Sequence, residues 1–157
     1  LSDPATLAVF EPIPGLFNTG VDDTGTILAD GTADTHYKIV LNADGDAPFD
    51  PLVQDSTLFP IAGGPWLLHL DTDVSRWIGP RMDTAEAAGG DYVYQIKFDL
   101  TGFDPTTAFL NGNWSTDNEG LDILLNGAST GLKNTAGFGS YTAFTITSGS
   151  LPVLIVP

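Results

Sequence analysis

Glycine and proline punctuate this chain from one end to the other, 18 and 11 of them in 157 residues, and the runs they leave between them are short and apolar. Proline in a helix interior removes a hydrogen bond and clashes with the preceding turn, and glycine costs about 1 kcal/mol there. The runs are strand-sized, and their spacing is that of an all-β sandwich. No stretch sustains helical periodicity, and only Asp83–Ala88 suits a helical turn. The expected fold is therefore all-β, an antiparallel jelly-roll β-sandwich in a single domain spanning 1–157. A chain of this length buries a two-layer core without disulfides or a structural metal.

The clearest strand is Asp91 to Leu100, where Tyr92, Tyr94, Ile96, Phe98 and Leu100 alternate with Val93, Gln95, Lys97 and Asp99. That is a period of two with one buried face. Further strands are expected at His36–Asn42, Gly64–Leu70, Ala108–Trp114, Gly120–Leu125 and Tyr141–Thr147. Weaker patterns mark Leu7–Phe10, Thr26–Leu28 and Val153–Val156. Asn126-Gly127 after Leu124-Leu125 is a hairpin signal, because a type I′ turn needs positive φ at both central residues. Asn42–Pro60, rich in Asp and Pro, reads as a long surface loop. No repeat of solenoid or propeller period is present.

Charge narrows the partners. Twenty acidic residues face five basic ones, a formal net charge of −15, and such a surface repels nucleic-acid phosphates and anionic lipid. No run approaches the ~18 apolar residues of a membrane span. Cysteine is absent, so neither disulfides nor thiolate metal sites exist. The chain begins at Leu1 without an initiator methionine or a basic leader. We read it as an exported product whose signal has been removed, secreted or held at the cell surface.

Almost all the acids are aspartates, set among Gly and Thr. Calcium takes six to eight oxygen ligands from such loops, and the candidates are Asp44, Asp46, Asp71, Asp73 and Asp117. None falls in a full EF-hand loop. The same residues suit Asx-turns, which satisfy local backbone donors, and the turn reading takes precedence.

Catalysis finds little support. His36 and His69 lie in expected strands among apolar neighbours, and there is no Gly-x-Ser-x-Gly elbow or Cys/His pair. Both histidines read as structural; a buried imidazole at position 36 would take its hydrogen bond from Asp34 or a backbone carbonyl. The expected protein is not an enzyme. Glycan binding would need a solvent-facing aromatic ring with polar neighbours; Trp66, Trp77, Trp114 and Tyr141 are the candidates. Asn113-Trp114-Ser115 satisfies the N-glycosylation rule, but one such tripeptide in a chain this long is near chance.

From His36 onward several segments act together: Asp34-Thr35-His36-Tyr37-Lys38-Ile39-Val40, Ser75-Arg76-Trp77-Ile78-Gly79-Pro80, Tyr92-Val93-Tyr94 leading to Phe98-Asp99-Leu100-Thr101-Gly102-Phe103, Gly112-Asn113-Trp114-Ser115-Thr116-Asp117-Asn118, and Asp122-Ile123-Leu124-Leu125-Asn126-Gly127. In this combination, over about two thirds of its length, the chain resembles a β-sandwich domain of bacterial exported proteins that carry a PEP-CTERM sorting tail, itself similar to galactose-binding-like jelly rolls. The resemblance implies an antiparallel sandwich at or beyond the cell surface, with no established enzymatic activity. Two departures stand out. After Phe144-Thr145-Ile146-Thr147 only Ser148–Pro157 remains, where the family pattern runs on; and residues 1–14 form an extra apolar leader.

A sandwich short of its closing strand exposes unpaired backbone groups and an apolar groove. The leader is apolar and bounded by proline, so its donation to the next copy would build a fibre, whereas pairing of the leader and Val153–Val156 within one copy would complete the fold privately. Leu7, Val9, Phe10 and Ile13 at one end, with Val153 and Ile155 at the other, are the expected assembly residues. The first expectation is thus a self-assembling extracellular structural protein whose partners are copies of itself. The second is a carbohydrate-binding jelly-roll module, with or without a stabilising calcium ion.

Overall fold

A computed structural model describes residues 11–45, 47–70, 73–104 and 106–147. Its ordered elements are strands β1 (Tyr37–Leu41), β2 (Leu52–Val53), β3 (Ile78–Gly79), β4 (Val93–Ile96), β5 (Phe109–Trp114), β6 (Leu124–Leu125), β7 (Ala128–Ser129) and β8 (Thr142–Thr147), with a single 3₁₀ turn at Thr84–Glu86. The fold is all-β: among the described residues there is no α-helix, and the strands form four antiparallel pairs, β1 with β4, β2 with β3, β5 with β8 and β6 with β7.

Local chemistry accounts for several of these elements. The β6–β7 hairpin turns on Asn126 (φ 51°) and Gly127 (φ 80°), the left-handed pair that a type I′ turn requires. Asp83 caps the 3₁₀ turn by accepting the Ala85 N–H at 2.9 Å. In β1 the register slips between Ile39 and Leu41, so Val40 is an extra residue. The bulge reverses the alternation beyond it: Ile39 is fully buried while both Val40 and Leu41 are exposed.

The expected strand Asp91–Leu100 is ordered as a ladder only over Val93–Ile96. Its partner ends first. Tyr37 pairs with Ile96, and just upstream Asp34 Oδ1 accepts the His36 N–H at 3.0 Å, which turns the chain away. Gly120–Leu125 is likewise reduced to Leu124–Leu125 plus one bridge from Gly120 to Asn134, and Thr26–Leu28 to one bridge between Ile27 and Val21.

Two expectations are corrected. Gly64–Leu70 is not a strand: Trp66 N–H donates back to Pro60 O (3.3 Å) and Ala62 N–H to Leu58 O (2.8 Å), so the chain curls on itself and sends one backbone bond across, Leu67 N–H to Phe138 O (3.1 Å). Asn42–Pro60 is not a surface loop: it carries β2 and the buried Pro51, Val53 and Gln54. The polar signal there hid a short core strand, which the segment at residues 31–34 flanks through Gly31 N–H to Val53 O, Val53 N–H to Thr32 O and Asp34 N–H to Pro51 O.

The core comprises Val21, Ile39, Val53, Ile61, Leu100, Leu125 and Ile146; a fully buried side chain of this kind contributes about 1.5–3 kcal/mol. Several polar side chains share the interior with partners supplied, whereas His36 Nδ1, His69 Nδ1 and Trp114 Nε1 are buried without a hydrogen bond among the described residues. Gln54 accepts from Thr84 Oγ1 and donates to Arg81 O at 2.6 Å, in space left by the missing side chain of Gly79. The stretches Leu7–Phe10 and Val153–Val156 lie outside the described residues.

Candidate functional site

The β5–β8 ladder sets Leu110 opposite Ile146, and directly opposed residues share one face of a sheet. Leu125 at the end of β6 and Phe98 and Leu100 beyond β4 bring apolar side chains to the same place. Together with Ala108, Phe109 and Ile13 they line a cleft in which every wall residue is apolar. Ile13 reaches it through a tight turn: Leu16 N–H donates to Ile13 O at 3.2 Å, with Gly15 at φ 82°. A side chain at Gly15 would press on Lys97 O, 3.2 Å from an ideal Cβ. Glycine therefore allows the turn to pack on Lys97-Phe98, and Ile13 follows into the cleft.

Of the expected assembly residues, Ile13 lines this cleft; Leu7, Val9, Phe10, Val153 and Ile155 lie outside the described residues. Ile13 and Ile146 sit close to the two ends of the described chain, so both ends meet at one apolar surface. The walls contributed by Phe98, Leu100, Leu110 and Leu125 had not been singled out as site residues. Their signal was present in strand alternation, but which inward faces meet is a property of pairing.

The aromatic candidates divide. Trp66 and Trp77 pack against each other, centroids 4.5 Å apart, and Trp66 lies nearly parallel to Phe138 at 6.4 Å. Both indoles are half-buried, and Trp77 Nε1–H donates to Leu67 O at 2.9 Å. Trp114 ends β5 half-buried, with its ring against Gly120. Tyr141 is exposed. The four do not form one flat platform.

The aspartates are taken up locally. Asp22, Asp55, Asp99 and Asp104 each accept both the N–H and the O–H of the threonine two residues on. These bonds, the threonine hydroxyl first, hold all four carboxyls below the ordinary 3.8. Of the calcium candidates, Asp44 accepts from Arg81 Nε (3.2 Å) and Ala88 N–H (2.9 Å), and Asp73 from Leu70 N–H (2.6 Å) and Arg76 (3.4 Å). Burial raises the Asp117 carboxyl. Asp46 and Asp71 lie outside the described residues, and among the described residues no group of three or more His, Asp or Glu side chains is placed to hold a metal.

Both histidines face carboxylates. The His36 ring stacks on Phe17 at 3.8 Å, with Nε2 3.0 Å from Asp23 and Nδ1 3.5 Å from the fully buried Asp34. His69 Nε2 accepts the Trp77 N–H at 3.0 Å, and its Nδ1 faces Asp30 at 3.9 Å. Burial, then the Arg76 charge, lowers the His69 pKa against the opposing pull of Asp30 and Asp73.

No helix among the described residues is long and apolar enough to cross a membrane. Comparison with protein-family models, curated proteins and solved structures finds no match to this chain.

Proposed function

We propose that the chain is an extracellular structural protein of jelly-roll type that assembles with copies of itself into a filament or surface layer, the apolar leader of one copy lying across the cleft of the next. The observation that carries the reading is the wholly apolar lining shared by Ile13 and Ile146; its free space is only about 20 Å³, so a donated strand would lie across its rim and not sink into it. A strand laid along it would remove apolar walls from water and could pair its backbone with a sheet edge, the physics of strand addition. Leu7, Val9 and Phe10 would each contribute about 1.5–3 kcal/mol on burial. Association costs about 4–15 kcal/mol, so main-chain pairing along the strand is needed as well. A head-to-tail contact that does not close on itself propagates as a fibre.

Removal of residues 1–12 tests it. The whole chain should form polymers by electron microscopy and light scattering, and the deletion should leave a folded monomer. Polymers that persist after the deletion overturn strand donation, and a whole chain that is monomeric at every concentration overturns self-assembly.

The second reading, a glycan-binding module, rests on the exposure of Tyr141. A glycan array probed with the monomer, and loss of any signal in Tyr141→Ala, would favour it. A calcium ion stapling the aspartate loops belongs to either reading and would raise the melting temperature when calcium is added.

A further inference from the structure

The β5–β8 ladder has two faces. One carries Leu110 and Ile146 to the apolar cleft. The other looks outward: Asn111 and Asn113 on β5, with Ala143 and Thr145 on β8, are all exposed. The register makes these four neighbours, since Asn111 lies opposite Thr145 and Asn113 opposite Ala143. The alternation of outward and inward residues runs back along the chain to Tyr141, one residue before β8 and 54% exposed. From Tyr141 to Thr145 the strip spans about 14 Å at the rise of an antiparallel strand. Its polar groups are set in advance. Thr145 Oγ1 donates to Asn111 Oδ1 at 2.9 Å, which engages the hydroxyl proton and fixes the amide. The two protons on Asn111 Nδ2 and the lone pairs on Thr145 Oγ1 are left to meet a ligand, and Asn113 adds a second exposed amide beside them.

We infer that this outward strip binds a neutral polysaccharide, a sugar ring lying on Tyr141 while hydroxyls along the sugar chain bond to Asn111, Asn113 and Thr145. The inference rests on the glycan-binding reading and gives it a site and a ligand class. A sugar hydroxyl both donates and accepts, and amide protons beside a hydroxyl oxygen answer both needs. An exposed aromatic ring with polar groups next to it supplies the stacking surface. Because Asn111 and Thr145 already hold each other, binding orders less that was free before. Charge narrows the occupant further. Acidic and basic residues are absent from the strip, so it has no carboxylate to hold a polycation, and the net charge of −15 repels a polyanion. The dry face of another sheet is a poorer partner, because it would bury the amides and the hydroxyl without hydrogen bonds.

Affinity electrophoresis and calorimetry of the full chain against soluble xylan, mannan, galactan and mixed-linkage glucan, with polygalacturonate as the charged comparison, test this. At least one neutral polymer should bind, with little dependence on salt, and polygalacturonate should not. Thr145→Val and Asn111→Ala should each weaken binding about threefold to tenfold. Tyr141→Ala should weaken it about tenfold or more, and Tyr141→Phe, which keeps the ring, should retain most of it. Leu121→Ala, equally exposed but outside the ladder, should change nothing, and near-ultraviolet circular dichroism of every variant should match the parent. Failure of all four neutral polymers to bind overturns the inference, as does a preference for polygalacturonate. Binding lost in Tyr141→Ala but untouched by Thr145→Val and Asn111→Ala leaves a glycan-binding module standing and sinks the strip alone. If the strip variants weaken sedimentation-detected self-association and spare polysaccharide binding, the face belongs to a second copy and the inference falls.

Discussion

His69 Nε2 accepts the backbone N–H of Trp77 at 3.0 Å. That bond requires a lone pair on Nε2, so the imidazole is neutral in the folded protein and its proton resides on Nδ1. The ring thereby holds together the two arms of the loop between Leu67 and Trp77, and with them the Trp66–Trp77 pair.

A pH dependence follows. The folded protein keeps the His69 pKa below the ordinary 6.5, chiefly through burial, so the unfolded chain takes up the proton first. Stability from this group is full above 6.5 and is lost as the pH falls through that value toward the folded pKa. Urea unfolding at about pH 8 and about pH 5 should show the parent losing stability over this window. His69→Gln, which cannot be protonated, should lose less. Equal losses in the two proteins would show that other groups govern the window.

Carboxylates behave in the opposite order in the four Asp-x-Thr turns. Asp22, Asp55, Asp99 and Asp104 are depressed below 3.8 by their threonine partners, so their contribution is complete above 3.8 and falls away as the pH drops through the folded values. Carbon-13 NMR titration should find these four below 3.8 and Asp117, which burial raises, above it. Thr57→Val should return Asp55 toward 3.8 and leave Asp99 unmoved. An Asp55 that keeps its place would mean the hydroxyl is not the cause.

Asn134 is the most heavily used polar side chain in the interior. Its Oδ1 accepts from Thr142 Oγ1 (2.7 Å), Ala136 N–H (2.9 Å) and Gly137 N–H (3.2 Å), and its Nδ2 donates to Thr116 Oγ1 (3.0 Å) and Gly137 O (3.1 Å). It is completely buried. Asn134→Ala strands several of these partners, at about 1–3 kcal/mol for each group left unpaired, and a loss of about 3–4 kcal/mol in urea unfolding is expected. A loss below about 1 kcal/mol would mean that water replaces the amide freely.

Much of the strand pattern was legible because it is local. Tyr37–Leu41, Phe109–Trp114 and Thr142–Thr147 carry the β-branched and aromatic residues that strands favour, and Asn126-Gly127 specified its own turn. Leu52–Val53 was hidden, because a two-residue strand between prolines and aspartates has no period to read. Gly64–Leu70 was over-read, because apolar side chains resemble a strand whether or not a partner edge reaches them. The cleft was partly legible: Ile13 carried a signal, whereas Phe98, Leu110, Leu125 and Ile146 become neighbours only after distant strands pair.

The amino-acid order by itself determined the class, all-β and antiparallel, and the chemistry of the turns, since both arise from backbone preferences acting over a few residues. Tertiary structure decided which apolar runs found a ladder, where Asn134 and His69 gathered their partners, and which inward faces closed into a cleft. Those outcomes depend on hydrogen bonds and contacts between segments far apart in the chain, and no local pattern encodes which segment will arrive opposite another.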